Sequence, residues 1–140
     1  MDVRPALAES LDLSPHPEGG WFRQTWAASE EVLLGDGRIR PTATLIYFLL
    51  PAGQSSAWHR VISDEVWLAV LGTVTLELGG LVSAPTPGAT SVVGTDTAAG
   101  EQAQAVVPAG VWQRTLPGTS DALVSCLVSP GFDFEDFELA

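Results

Sequence analysis

The sequence predicts an all-β protein: one antiparallel β-barrel domain over residues 1–140, with a short N-terminal helix. Fourteen glycines and ten prolines punctuate the chain at short intervals. The runs between them are rich in Val, Thr, Leu and aromatic residues, which is the pattern of a β-sandwich or barrel. A length of 140 residues with 46% hydrophobic residues suits one domain with one core.

The predicted elements follow the chain in order. Only the first dozen residues have a helical pattern, whose apolar stripe ends near Pro15. Apolar or alternating runs predict strands, because alternate residues of a strand face opposite sides. These runs are 20–27, 42–50, 56–61, 65–71, 73–78, 90–93, 104–107, 111–116 and 122–128, with turns at 35–37 and 51–53 and a loop at 81–88. The tail at 132–137 mixes acidic residues with Phe, and we expect the Phe side chains to pin it to the barrel.

The charge pattern excludes several classes of partner. The net charge is -11, and the chain contains arginine but no lysine. A phosphate backbone or an anionic membrane would be repelled, so we expect neither nucleic acid nor membrane as a partner. The low charged fraction of 16% favours a surface partly buried in an oligomer. The lone Cys126 lies in an apolar run, and a terminus without a signal-like apolar segment predicts a cytoplasmic protein.

Polar residues recur at regular spacing through the middle of the chain. Five residues separate Gly53 from His59, five separate His59 from Glu65, and six separate Glu65 from Gly72. Strand alternation allows His59, Glu65 and the later Gln113 to point into the barrel together. An apolar hollow with a few convergent polar groups is the composition of a ligand pocket. The bland alternative for Gln113 is an amide that bridges strands.

These spacings resemble the two motifs of the cupin superfamily: Gly, His-x-His, Glu and Gly, followed by Pro-x-Gly and a His. The resemblance implies a jelly-roll barrel in which three histidines and the glutamate hold a metal. His59 and Glu65 match the first His and the Glu, whereas Val61 stands at the second His and Gln113 at the third. The set is incomplete, so we expect no cofactor. A divalent metal, if bound, would use His59, Glu65 and Gln113.

Further segments resemble one branch of that superfamily, catalogued as a domain of unknown function. The resemblance covers nearly the whole chain and implies a dimeric jelly roll similar in fold to dTDP-4-keto-sugar epimerases. The matching segments are His16-Pro-Glu-Gly-Gly-Trp-Phe-Arg23, Ile46-Tyr-Phe-Leu-Leu50, Trp58-His-Arg-Val61, Ser63-Asp-Glu-Val-Trp67, Val107-Pro-Ala-Gly-Val-Trp-Gln113 and Ser129-Pro-Gly-Phe-Asp-Phe134.

The candidate catalytic residues are His59, Glu65 and Tyr47. His59 is the expected general base, moving a proton next to a carbonyl group of a small polar metabolite, and Glu65 is expected to orient its imidazole. Gln113 or Tyr47 would donate a hydrogen bond to the developing oxyanion.

The candidate ligand-binding residues complete the predicted pocket. Besides Gln113, we expect Trp67 to stack on the ligand, Val61 to form an apolar wall and Arg23 to clamp a carboxylate or phosphate. Glu18 precedes two glycines that suggest a close approach of the backbone. Three functions remain open: a metal-independent isomerase, epimerase or cyclase, a non-catalytic ligand-binding protein, and a metal-dependent enzyme with a degenerate ligand set.

Overall fold

The computed structural model describes residues 3–140 and consists mainly of antiparallel strands. Met1 and Asp2, the start of the predicted 1–140 domain, lie outside the described residues. Short 3₁₀ helices cover Thr97–Ala99 and Phe134–Asp136. The other elements are α1 (Ala6–Ser10), β1 (Ser14–Pro15), β2 (Trp21–Ala27), β3 (Glu31–Leu33), β4 (Ile39–Pro41), β5 (Thr44–Leu50), β6 (His59–Val61), β7 (Asp64–Leu71), β8 (Val74–Leu78), β9 (Thr90–Val93), β10 (Gln104–Val107), β11 (Gln113–Leu116), β12 (Ala122–Ser129) and β13 (Phe137–Leu139).

Two sheets pack face to face as a jelly-roll barrel, which confirms the predicted fold class. One sheet has the strand order β1-β2-β5-β12-β7-β10 and the other β13-β6-β11-β8-β9. The central strands of the first sheet are its most apolar runs, because they are covered on both faces. A separate ribbon pairs β3 with β4 around the turn at 35–37. Sequence reasoning placed that turn but missed its two short flanking strands.

The core has two parts, on opposite faces of β5. Between the sheets, Phe48 and Trp67 pack with residues of β8, β9, β10 and β12. On the outer face, helix α1 places Ala8 against Leu49 and Trp21. Both faces of β5 are therefore apolar, and this leaves its inward and outward residues indistinguishable by hydrophobicity alone.

The C-terminal tail returns to the barrel and adds strand β13 beside β6. Aromatic packing accompanies this pairing, as predicted: Phe132 and Phe137 have ring centroids 6.2 Å apart. Ion pairs fix the tail as well, because Asp136 lies 2.9 Å from Nε of Arg40 and also contacts Arg38. Within residues 3–140, none of the helices has the length and apolar character needed to cross a membrane.

Candidate functional site

A cavity of about 390 Å³ opens between the two sheets, next to the apolar core. Its walls come from β2, β5, β6, β7 and β12, from the turn before β2, and from the C-terminal tail. Most of the lining is apolar, with acidic and imidazole groups converging at one side. The lining residues are His16, Glu18, Phe22, Gln24, Ile46, His59, Val61, Glu65, Val128, Phe132, Asp133, Phe134 and Phe137.

His59 is buried at the start of β6 with one ring nitrogen fully engaged. Its Nδ1 lies 2.8 Å from the carbonyl oxygen of Ala57 and 2.5 Å from Oε2 of Glu18. In the Nδ1–H form the ring donates to Ala57, and Glu18 makes a close ionic contact with the same nitrogen. Burial disfavours the charged ring, but the Glu18 carboxylate and then Glu65 outweigh burial, and the pKa of His59 is raised above its ordinary value. Nε2 is the nitrogen left for a ligand.

Glu18 supplies a carboxylate that is only 8% exposed. Its Oε1 lies 3.5 Å from Nδ1 of His16. Its Oε2 is buried and, beyond the ionic contact with His59 Nδ1, has no hydrogen-bond partner among the described residues. A buried acceptor without a donor is unfavourable, so this oxygen marks a place for a donor from outside the chain.

His16 forms the second imidazole of the cavity, with the opposite proton arrangement. The backbone N–H of Glu18 donates to its Nδ1 at 3.1 Å, so in the neutral ring the proton must sit on Nε2. Burial lowers the pKa of His16, although the Glu18 carboxylate opposes the effect. The ring packs edge-on against Phe22, with centroids 4.6 Å apart. His16 is therefore a neutral Nε2–H donor.

The turn between β1 and β2 brings His16 and Glu18 against β6. Gly19 has a φ of +109°, and a Cβ there would lie 2.4 Å from the carbonyl oxygen of Ser55. Only glycine allows this approach and this backbone conformation together. The Glu18 carbonyl accepts a hydrogen bond from Ala57 N at 2.7 Å, which fixes the turn beside His59.

Glu65, Gln113 and Trp67 form a buried network behind the cavity. Trp67 Nε1 donates to Gln113 Oε1 at 3.0 Å, and Gln113 Nε2 donates to Glu65 Oε1 at 2.8 Å. The indole N–H can only donate, so it fixes the orientation of the amide. Burial raises the pKa of Glu65, while His59 opposes the effect, Glu18 adds to it, and the Gln113 hydrogen bond opposes it.

The expected alternative ligand set, His59, Glu65 and Gln113, does not fit a divalent metal. Gln113 turns its amide nitrogen, a donor, toward Glu65, and its oxygen is already used by Trp67. An N–H group facing the carboxylate would repel a cation, and Val61 offers no ligand. Within residues 3–140, no group of three or more His, Cys, Asp or Glu side chains has the arrangement of a metal site.

Several predicted positions were wrong. Tyr47 lies on the outer face of β5 and packs against the cluster that contains Ala8 and Leu49, so it cannot donate to an oxyanion in the cavity. Arg23 is exposed on the outer face of β2, and its Nε donates to the Leu11 carbonyl at 2.8 Å. Trp67 is 1% exposed and lies in the core, outside the lining. Gln113, 0% exposed, braces Glu65 from behind.

His59, Glu65, Val61 and Glu18 all line the cavity. The partner of His59 was predicted incorrectly: Glu18, and not Glu65, contacts its Nδ1. The sequence analysis gave His16 no role in the site and treated the Phe-rich tail only as an anchor. The sequence did offer one indication of His16. The chain has two histidines, and in so apolar a chain each of them is a candidate site residue.

This architecture is that of a cupin-type small-molecule-binding protein: an antiparallel double-sheet barrel with an interior cavity lined by His and Glu. Residues 5–140 match the family model described as Cupin superfamily (DUF985). The chain belongs to that family.

Relatives of known sequence or structure agree with this assignment. An uncharacterized protein from Saccharomyces cerevisiae is 32% identical, over 93% of this chain and 71% of its own length. A hypothetical protein from Leishmania major is 32% identical with a TM-score of 0.84, over 95% of this chain and 84% of its own. A protein from Shewanella oneidensis is 33% identical with a TM-score of 0.82, over 100% of this chain and 85% of its own.

Proposed function

We propose that this protein is a metal-independent isomerase or epimerase, moving a proton at a carbon next to the carbonyl of a small polar metabolite. The observation that carries the proposal is the pair of unlike imidazoles in one cavity. His59 keeps Nε2 free while its Nδ1 is held by Ala57 and Glu18. His16 carries its neutral-state proton on Nε2.

His59 is the proposed proton-transfer group. A carboxylate against Nδ1 strengthens a base at Nε2, because it stabilises the positive charge that the ring gains with the proton. Glu18 has this position, at 2.5 Å. The raised pKa of His59 suits abstraction of a weakly acidic C–H proton.

His16 replaces Tyr47 as the proposed oxyanion donor. When His59 takes the proton, the C–H bonding electrons move into the C–C bond and the carbonyl oxygen becomes negative. A neutral imidazole N–H stabilises that oxygen without giving up its proton. Return of the proton from His59 to the same carbon, after the planar enolate has turned its other face to the ring, completes an epimerisation. Return to the former carbonyl carbon completes an isomerisation when the neighbouring hydroxyl passes its own proton to the former carbonyl oxygen and becomes the new carbonyl.

A second candidate is a binding protein without turnover. It is favoured by the raised pKa of His59, because a raised pKa increases the protonated fraction of the ring, and a protonated imidazole has no lone pair to act as a base. In that case Nε2–H would act as a donor that holds the ligand.

Deuterium exchange separates the two. The protein is incubated in D₂O with a panel of ketoses and aminoketones, and mass spectrometry follows incorporation next to the carbonyl. We expect exchange that His59→Gln abolishes, that His16→Gln reduces and that Tyr47→Phe leaves unchanged. Exchange that survives His59→Gln contradicts the proposed base. Binding of a panel member without exchange supports the second candidate instead.

A further inference from the structure

We propose that the cavity takes a small molecule carrying a protonated amino group. The inference rests on the proposed function in one respect: it names the substrate class of the same cavity. Its evidence is separate, namely the charge of the lining, an unsatisfied buried carboxylate oxygen and a group of phenylalanine rings.

The lining is acidic, and its basic side chains are imidazoles. Glu18, Glu65 and Asp133 face the cavity, and none of the lining residues in the described part of the chain is Arg or Lys. Arg23, which could have bound a phosphate or carboxylate, lies on the outside of the barrel. His59 contributes one positive charge, which Glu18 offsets, and Glu65 and the exposed Asp133, which also interacts with Arg40, add negative charge. Such a field repels anions and attracts cations.

The Oε2 atom of Glu18 supplies the specific contact. Glu18 is 8% exposed and lines the cavity, and its Oε2 contacts His59 Nδ1 but accepts no hydrogen bond from residues 3–140. An ammonium N–H would satisfy it with a charge-assisted hydrogen bond, which is stronger than one between neutral groups. A neutral hydroxyl would satisfy it less well, and a carboxylate or phosphate would not satisfy it at all.

Phenylalanine rings form much of the remaining wall. Phe22, Phe132, Phe134 and Phe137 all line the cavity. Phe134 lies edge-to-face with Phe132 at 4.8 Å and with Phe137 at 5.8 Å between centroids. Aromatic faces attract cations by their quadrupole, more strongly where water is excluded. Rings and carboxylates therefore favour the same ligand charge. Together with a proton-transfer site, this points to an aminoketone or an amino sugar.

Three probes of matched shape test the inference: cyclohexylamine, cyclohexanol and cyclohexanecarboxylate, protonated, neutral and anionic at neutral pH. Calorimetry measures the binding of each to the whole protein. We expect the amine to bind about tenfold or more tightly than the alcohol and the carboxylate to bind weakest. Glu18→Gln should reduce the preference for the amine about tenfold, and Asp133→Asn, which retains the acceptor that caps Glu135 N, should reduce it less. Glu9→Gln, the same charge change on the exposed face of α1, should leave it unchanged.

Two results would overturn the inference: a carboxylate that binds as tightly as the amine, or an amine preference unaltered in a folded Glu18→Gln variant. If Glu18→Gln does not fold, Asp133→Asn decides, and an unchanged preference there overturns the inference. Deuterium exchange without a preference for amines would contradict this inference alone. A clear amine preference without exchange on any amino-substituted carbonyl compound would contradict the proposed catalysis alone.

Discussion

Trp67 on β7 donates its indole hydrogen to the amide oxygen of Gln113 on β11, at 3.0 Å, and so links the two sheets of the barrel. The contact also fixes the orientation of the Gln113 amide, so that its Nε2 faces the Glu65 carboxylate at the cavity. The buried carboxylate of Glu65 thereby receives a hydrogen bond.

Gln113→Glu should destabilise the protein. The new carboxylate would lose the N–H that Glu65 accepts and place a second acid beside it in a 0% exposed position. We expect the free energy of unfolding in urea to fall by about 2–4 kcal/mol, because a buried hydrogen bond is replaced by repulsion or by a forced protonation. Gln104→Glu, at an exposed position of β10, is the matched control and should change the free energy of unfolding by less than about 0.5 kcal/mol. Equal losses in the two variants would contradict the role of Gln113.

The barrel and the convergence of His59, Glu65 and Val61 could be predicted from the sequence because strand alternation and turn residues are local signals. The face of the sheet on which Tyr47 and Arg23 lie could not be predicted. Helix α1 covers the outer face of β5, so Tyr47 and Leu49 outside are as apolar as Ile46 and Phe48 inside. Which alternate residues of β5 face the inside then depends on the pairing register with neighbouring strands, and no local pattern encodes that register.

The approach of His16 and Glu18 to His59 could not be predicted from the sequence for a different reason. It depends on a turn whose shape is set by contact with Ser55 and Ala57, more than thirty residues away in the chain. The closure of the cavity by the tail depends on Arg40 and Asp136, which are 96 residues apart. Such long-range pairs leave no periodic signal in a single sequence.

Elemental analysis tests the metal argument. Protein purified without chelator should hold less than about 0.1 equivalent of any transition metal, because Val61 and the donor face of Gln113 spoil the ligand set. The double substitution V61H and Q113H supplies the two imidazoles that the motif resemblance lacks. We expect that variant to retain substantially more zinc. A full equivalent of metal in the unaltered protein would refute the argument.

The two histidines should titrate on opposite sides of the ordinary value of 6.5, as measured by nitrogen-15 NMR. His16 should have a lowered pKa and the Nε2–H tautomer, and His59 a raised pKa. Glu18→Gln should lower the pKa of His59, because it removes the carboxylate beside Nδ1. Glu9→Gln should leave both values in place. Coincident titration of the two rings would be incompatible with the assigned environments.

The sign for stability follows from the raised pKa of His59. Folding favours its protonated form, so this contribution is complete below pH 6.5 and is lost as pH rises through the higher pKa of the folded state. In Glu18→Gln, measured by denaturant unfolding at several pH values, the free energy of unfolding should no longer show this loss as pH rises. The difference in stability from the unaltered protein should therefore shrink as pH rises above the folded pKa.

Arg40→Ala should release the C-terminal tail. The Arg40 side chain is 9% exposed and that of Asp136 only 4%, and they meet at 2.9 Å. Removing the arginine leaves Asp136 buried with only Arg38 as a partner. We expect amide hydrogens of residues 132–139 to exchange roughly tenfold faster or more, while those of β5 and β12 stay protected. Arg4→Ala, which breaks a pair with the exposed Asp12, should leave the tail unaffected.

Gly19→Ala should cost more stability than Gly37→Ala, although both glycines have positive φ. Gly37, at +90°, has open space around its Cβ position, whereas at Gly19 a methyl group would lie 2.4 Å from Ser55 O. The φ penalty alone is about 1 kcal/mol, so Gly37→Ala measures that term. Gly19→Ala adds a clash with backbone that cannot move without displacing the Glu18–Ala57 hydrogen bond. We therefore expect at least about 2 kcal/mol from Gly19→Ala.

The same substitution should reach the cavity, because the turn positions both Glu18 and His16. A displaced Glu18 no longer supports the charged ring, so the pKa of His59 should fall in Gly19→Ala and stay unchanged in Gly37→Ala. Urea unfolding and nitrogen-15 NMR on the two variants measure both effects. If the two alanines cost the same and His59 titrates identically in both, the close approach at Ser55 is not what holds Glu18 against His59.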